Sequence, residues 1–170
     1  MMKDEDVTGL LRSRRYGAAF GHILDRYQEK VFRLAVSMLK EAGRAEEVTQ
    51  DIFLKVWEAL PIYDGRAALS TWLYTIARNK CLSAVRRESY RRTVPIEGCG
   101  ESSGRETLSP GAEIRQLLER LPKVQREVIT LFYLEDQSVQ DVAQMLDLPQ
   151  GTVKSHLHRA RRALADMMRS

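Results

Sequence analysis

The sequence predicts an all-α protein of two small helical domains joined by a flexible linker, the second domain containing a helix-turn-helix. Three observations carry this reading. Nearly every apolar stripe repeats at helical spacing, no run alternates long enough to make a strand, and a Gly/Ser/Pro-rich stretch interrupts the pattern beyond the midpoint.

The elements follow in order. Val31, Leu34, Ala35, Met38 and Leu39 form one stripe, and Val48, Ile52, Phe53, Val56, Trp57 and Leu60 the next. Pro61 and the run YDGR break the periodicity, and a third helix is expected to restart at Ser70 or Thr71. Its inner face reads as Trp72, Leu73, Ile76 and Ala77. TVPIEGCGESSGRETLSPG, residues 93–111, has a linker composition and places the boundaries at 1–92, 93–111 and 112–170. Such a segment spans at most ~65 Å extended and averages ~25 Å as a coil, so it holds two modules on one long partner without fixing their separation. Beyond it come the stripes Ile114, Leu117, Leu118, Leu121 and Val124, Val128, Ile129, Leu131, Phe132, the latter running to Leu134. SVQDVAQML opens on Ser138 with Asp141 three residues later, a capping box with a shorter acid. DLP then turns the chain, and Pro149 suits the first position of the last helix, where no amide donor is needed.

Composition narrows the function. An apolar fraction of 44% excludes wholesale disorder. Apolar runs far below the ~20 residues of a membrane span, and no export signal near Met1, lead to the expectation of a cytoplasmic protein with no membrane insertion. Cys81 and Cys99 make no metal or disulfide framework by spacing. The net charge of +4 is modest, but its distribution is uneven. Arg78, Lys80, Arg86, Arg87, Arg91 and Arg92 face one acid, Glu88; Lys154, Arg159, Arg161, Arg162 and Arg169 face Asp166. Between Glu41 and Glu58 the balance is acidic. Two polyanion contacts and a separate protein-facing surface are expected.

In the last helix Val153, Leu157, Ala160 and Leu164 make a seam, leaving Lys154, Ser155, His158, Arg159 and Arg162 facing outward. A short helix, a tight turn and a basic amphipathic helix are the pattern of a helix-turn-helix. Lys and Arg suit guanine O6 and N7, and Arg161 and Arg162 suit phosphates equally well. His156 and His158, two apart on a helix, do not share a face and make no zinc pair. No nucleophile–base pair, phosphate-cradling Gly loop or carboxylate cluster is present, so no catalytic residue, metal or cofactor is expected. Upstream, YDGRAALSTWLYTIARNKCLSAVRR mixes Trp72 and Tyr74 with Asn79, Lys80 and arginines, a composition suited to single-stranded nucleic acid. Trp72 reads as core; Tyr74 reads equally as core or contact.

These residues resemble the sigma factors of bacterial RNA polymerase, in the small extracytoplasmic-function (ECF) branch of the sigma-70 family. AEEVTQDIFLKVWEAL, STWLYTIARNKCLSAVRR, LPKVQREVITLFYLED and SVQDVAQMLDLPQGTVKSHLHRARRAL match its pattern in its order, between Phe20 and Leu164. The resemblance implies a non-catalytic protein that binds core RNA polymerase and recognises promoter DNA. One domain would read the melted minus-ten element and the other the minus-thirty-five duplex, under the control of an anti-sigma factor. It implies that Glu47, Gln50 and Asp51 grip core polymerase, with Phe53 and Trp57 in the core. It implies minus-ten contacts at Tyr63, Asp64, Gly65 and Arg66, in a loop that captures a flipped base, and at Tyr74, Asn79, Lys80 and Ser83. Minus-thirty-five contacts would fall at Thr152, Lys154, Ser155, His156, His158, Arg159, Arg161 and Arg162, with His156 and Arg161 on the backbone. Ala67, Ala68 and Leu69 stand where relatives vary, so the captured base stays open. A stand-alone helix-turn-helix regulator with a sensing N-terminal domain is the competing reading. A nucleic-acid enzyme is the more distant one, and lacks an acidic metal site.

Overall fold

Ala19, Ile23, Tyr27 and Val31 stand four residues apart and are all buried, so the first predicted stripe extends far upstream of Val31. The computed structural model describes residues 4–93 and 112–169. They divide into two compact units, 1–85 and 86–170. Among the described residues every regular element is helical. The expected linker, apart from Thr93, lies outside the described residues, as does Cys99.

The first unit contains α1 (Asp4–Arg12), α2 (Tyr16–Leu39), α3 (Ala42–Ala59), a short 3-10 turn (Leu60–Ile62) and most of α4 (Leu69–Thr93). The stripes noted above reached neither α1 nor the first half of α2. α2 ends where Lys40 adopts a left-handed φ of 62° and its amide donates to the Val36 carbonyl. α3 then returns alongside α2, with Phe20 edge-on to Phe53 at 6.4 Å and to Trp57 at 5.2 Å. α4 completes the packing: Tyr74 meets Tyr27 edge-to-face at 6.1 Å, and the Arg44 guanidinium donates to the Ala84 carbonyl. The α4 seam is Leu69, Leu73, Ala77, Cys81 and Ala84, all buried. Ile52 and Leu73 are wholly buried, and truncating either to Ala should cost ~2–5 kcal/mol.

The second unit contains α5 (Ala112–Glu119), α6 (Lys123–Ile129), a π-helical segment (Thr130–Leu134), α7 (Val139–Leu146) and α8 (Gln150–Arg169). Leu118, Leu121, Val128, Leu131, Val142, Met145, Val153, Leu157 and Ala160 form its core, while Ile114 remains exposed. Ser138 caps α7: its Oγ accepts from the Asp141 amide at 3.1 Å and donates to Asp141 Oδ2 at 2.5 Å. The box is therefore local, because a carboxylate one methylene shorter than Glu meets the cap hydroxyl rather than the cap amide. Pro149 sits one position earlier than expected, its carbonyl accepting the first amides of α8 from Thr152 and Val153.

Candidate nucleic-acid interface

The turn between α7 and α8 sets the direction of the last helix. Asp147 takes a left-handed φ of 53°, a conformation that Asp tolerates better than most side chains. The Leu148 amide reaches back to the Ala143 carbonyl at 3.0 Å and the Asp147 amide to Gln144 at 3.4 Å. This is a Schellman closure, which satisfies carbonyls at the end of α7 and turns the chain sharply.

On α8, Val153, Leu157 and Ala160 are buried, and Leu164 is half-buried at the end of the seam. Lys154, Ser155, His158, Arg159, Arg161 and Arg162 are exposed; Thr152 and His156 are half-buried. The Ser155 hydroxyl donates to the Gly151 carbonyl at 3.0 Å, leaving its lone pairs to accept from a base. His156 Nδ1 is buried with no hydrogen-bond partner among the described residues. The Arg161 guanidinium lies over the Tyr133 ring at 5.3 Å. Tyr133 reaches it from the π-helical segment, whose wider turn is closed by the Glu135 amide on the Thr130 carbonyl.

In the first unit, Tyr63 carries the loop before α4. Its ring tilts against Trp72 at 4.8 Å, and its hydroxyl donates to the Ala67 carbonyl at 2.6 Å. Asp64 Oδ1 accepts from the Arg66 amide at 3.0 Å, and Asp64 Oδ2 pairs with Arg66 Nε at 3.2 Å. Gly65 lies between them at φ +74°, where a side chain would be strained. Asp64, Gly65 and Arg66 are exposed and Tyr63 is half-buried.

The structure decides between the two readings of Tyr74 and corrects that of Trp72. Tyr74 is 1% exposed and offers no surface to a strand. Trp72, expected in the core, is only half-buried, beside the loop. The reason is helical phase: Tyr74 follows Leu73 onto the buried side, while Trp72 precedes the seam. Asn79 and Ser83 are exposed on α4, and Lys80 is half-buried.

Glu47, Gln50 and Asp51 share an exposed face of α3. Leu54, one turn further and 62% exposed, joins them, as does Trp57 at 45%. Phe53 is buried as expected, but Trp57 is only covered on one side, by Phe20. The sequence analysis did not single out Leu54, although its place off the Ile52/Phe53/Val56 seam signalled an exposed apolar side chain on this face.

Family comparison agrees with both halves. Residues 23–91 match the sigma-70 region 2 model and residues 111–164 the sigma-70 region 4 model. The chain is 33% identical over 165 residues to the ECF RNA polymerase sigma-E factor of Escherichia coli K12, covering 86% of this chain and 84% of that protein. The chain belongs to the ECF branch of the sigma-70 family. This sigma chain is also 29% identical over 167 residues to the ECF RNA polymerase sigma factor SigW of Bacillus subtilis, covering 89% of each. It resembles the sigma factor RpoE of Bartonella quintana, solved in complex with the anti-sigma factor NepR, with a TM-score of 0.74 and 26% identity. That match covers 88% of the sigma chain and 96% of its neighbour. Among the described residues of the sigma chain no helix is long and apolar enough to cross a membrane. Nor do three His, Cys, Asp or Glu side chains gather there to hold a metal ion.

Proposed function

We propose that this chain is a transcription initiation factor that binds core RNA polymerase, directs it to promoters and does no catalysis of its own. α8 supplies the observation that carries the reading: a basic face held outward by a buried seam behind a closed helix-turn-helix. That face reads the minus-thirty-five duplex through Lys154, Ser155, His158 and Arg159, with Thr152, His156 and Arg162 on the backbone. The loop Tyr63–Arg66, with Asn79, Lys80 and Ser83, engages the melted minus-ten strand. Trp72 takes the aromatic place first given to Tyr74. Glu47, Gln50 and Asp51 form the polymerase-facing surface, and Leu54 extends it. The working division is 1–92 for the minus-ten unit, 93–111 for the linker and 112–170 for the minus-thirty-five unit.

The protein works in the cytoplasm, where the polymerase is, and an anti-sigma factor holds it inactive. The likeness to RpoE, solved with its anti-sigma factor NepR, supports that partner. Reconstitution tests the reading. Purified chain added to core polymerase yields transcripts from defined start sites on genomic DNA, whereas the chain alone binds promoter DNA feebly. Tight, specific duplex binding without polymerase, and no specific initiation with it, would favour the stand-alone regulator instead.

A further inference from the structure

α3 carries a cation where the helix gains nothing from one. Arg44 stands in its first turn, which holds no acid, and the N-cap Glu41 makes no side-chain cap. The amide end of a helix disfavours positive charge, so neither capping nor the dipole calls for an arginine here. The side chain is half-buried rather than extended into water. Its guanidinium crosses to α4 and donates to the Ala84 carbonyl. Both residues belong to the first unit.

The bond falls where it has leverage. Tyr27 meets Tyr74 edge-to-face near the start of α4. Ala84 comes ten residues later, ~15 Å along the axis, and is the last buried side chain of that helix. It lies inside a continuing helix, whose own ladder satisfies its carbonyl without the arginine. What the guanidinium adds is a charge-assisted bond between two helices, at a point where a methyl group offers little packing. On α3, Arg44, Glu47 and Asp51 stand at i, i+3 and i+7 and share one side. On α4, Ser83 immediately precedes Ala84, and Asn79 stands one turn before Ser83.

We propose that Arg44 is a positioning residue that fixes the strand-reading part of α4 against the polymerase-bound helix α3. The inference rests on the polymerase-facing and minus-ten surfaces proposed above. Polymerase grips α3, whereas the melted strand meets α4. The strand is therefore delivered in register only if the two helices keep their relation. Without the bond, α4 is held by its seam and by the Tyr27 contact at Tyr74, and Ser83 shifts relative to α3.

The test uses the full chain assembled with core polymerase, on a promoter fragment defined by mapping transcript starts. Arg44→Met keeps the aliphatic stem and removes the donors, whereas Arg44→Lys keeps a charged donor. With polymerase saturated by the sigma chain, the Met variant should open the promoter ~tenfold more slowly, the loss usual for one charged hydrogen bond. Permanganate reactivity of the melted element follows the opening. Affinity for core polymerase should be unchanged, and the Lys variant should recover most of the rate. Equal opening rates for the Met variant and the unaltered chain overturn the proposal. So does a Lys variant as slow as Met, which leaves the bond without a part. Weakened polymerase affinity with opening unaltered at saturation also overturns it, by making Arg44 part of the polymerase contact. A slower rate matched by an equal fall in folded protein, read by circular dichroism at the assay temperature, overturns it as well, by reducing Arg44 to a fold-stabilising residue. If the unaltered holoenzyme starts nowhere specific, the promoter reading itself has failed, and the inference falls with it.

Discussion

The Arg161 guanidinium sits 5.3 Å from the centroid of the Tyr133 ring and so ties α8 to the π-helical segment after α6. A guanidinium held there is engaged before DNA arrives, which changes the part expected of Arg161. We propose that it braces α8 against that segment in place of the phosphate contact that the family resemblance implies for it. Exposed cation–π pairs contribute ~0.5–1 kcal/mol. Arg161→Ala and Tyr133→Ala should each lower stability by about that much, and the double variant by less than their sum. Thermal or urea unfolding of the four proteins measures the coupling; full additivity would return Arg161 to the phosphate contacts.

Much of this was legible in the residues, and the exceptions have physical causes. The α8 seam was readable because Val153, Leu157 and Ala160 repeat at strict helical spacing beside charged neighbours, and all three are buried. The start of α2 was harder, because Ala19, Ile23 and Tyr27 are interrupted by Gly21 and His22, which dilute the stripe. Trp72 was placed in the core and Tyr74 left open because both are apolar enough for a core, and only the phase relative to Leu73 separates them. The π-helical turn had no signal in spacing, since Leu131 and Phe132 fit an α-helix equally well. Cation–π contact between residues as distant as Tyr133 and Arg161 depends on tertiary packing alone.

The acidic face of α3 yields the next expectation. Glu47, Gln50 and Asp51 lie in line with Leu54, so a partner there meets charge around an apolar centre. Glu47→Lys with Asp51→Lys should weaken polymerase binding at least tenfold, and Leu54→Ser should weaken it separately, ~1–3 kcal/mol being usual for an apolar anchor. Neither change should alter DNA binding by the second unit. Loss of both activities would mean misfolding, which circular dichroism would register.

Tyr63 holds the loop before α4 by two means, its ring on Trp72 and its hydroxyl on the Ala67 carbonyl. Tyr63→Phe removes the second alone and should cost ~0.5–1.5 kcal/mol of stability. Tyr63→Ala removes both and should cost more. If the loop must be set before it captures a base, the holoenzyme should open promoter DNA more slowly with Phe and more slowly still with Ala. Equal opening rates in all three would show that the loop is ordered by the strand it binds.

The turn before α8 depends on Asp147 keeping its left-handed backbone. A β-branched side chain resists that conformation, so Asp147→Val should destabilise the second unit by ~1–2 kcal/mol. Asp147→Gly should be neutral or stabilising, since glycine adopts the conformation freely. Urea midpoints for the two variants decide between backbone conformation and a role of the carboxylate itself, which both replacements would remove.

Arg159 is the candidate base-reading residue on α8 to test first. It is exposed, stands one turn from Ser155 on the same face, and lies clear of the Val153/Leu157/Ala160 seam. Unlike Arg161, it has no aromatic ring beneath it among the described residues. A guanidinium presented this way pairs with guanine O6 and N7, and such a contact is worth ~1–3 kcal/mol of discrimination. Arg159→Ala should therefore lose that much at one base pair of the preferred site and little elsewhere. Arg162→Ala should weaken binding evenly across sequences and reduce the salt slope by ~0.9, as loss of one phosphate contact does. Binding of the two variants to a panel of singly substituted duplexes separates the roles. An even loss for Arg159→Ala would move base reading to Lys154 and His158, the other exposed donors on that face.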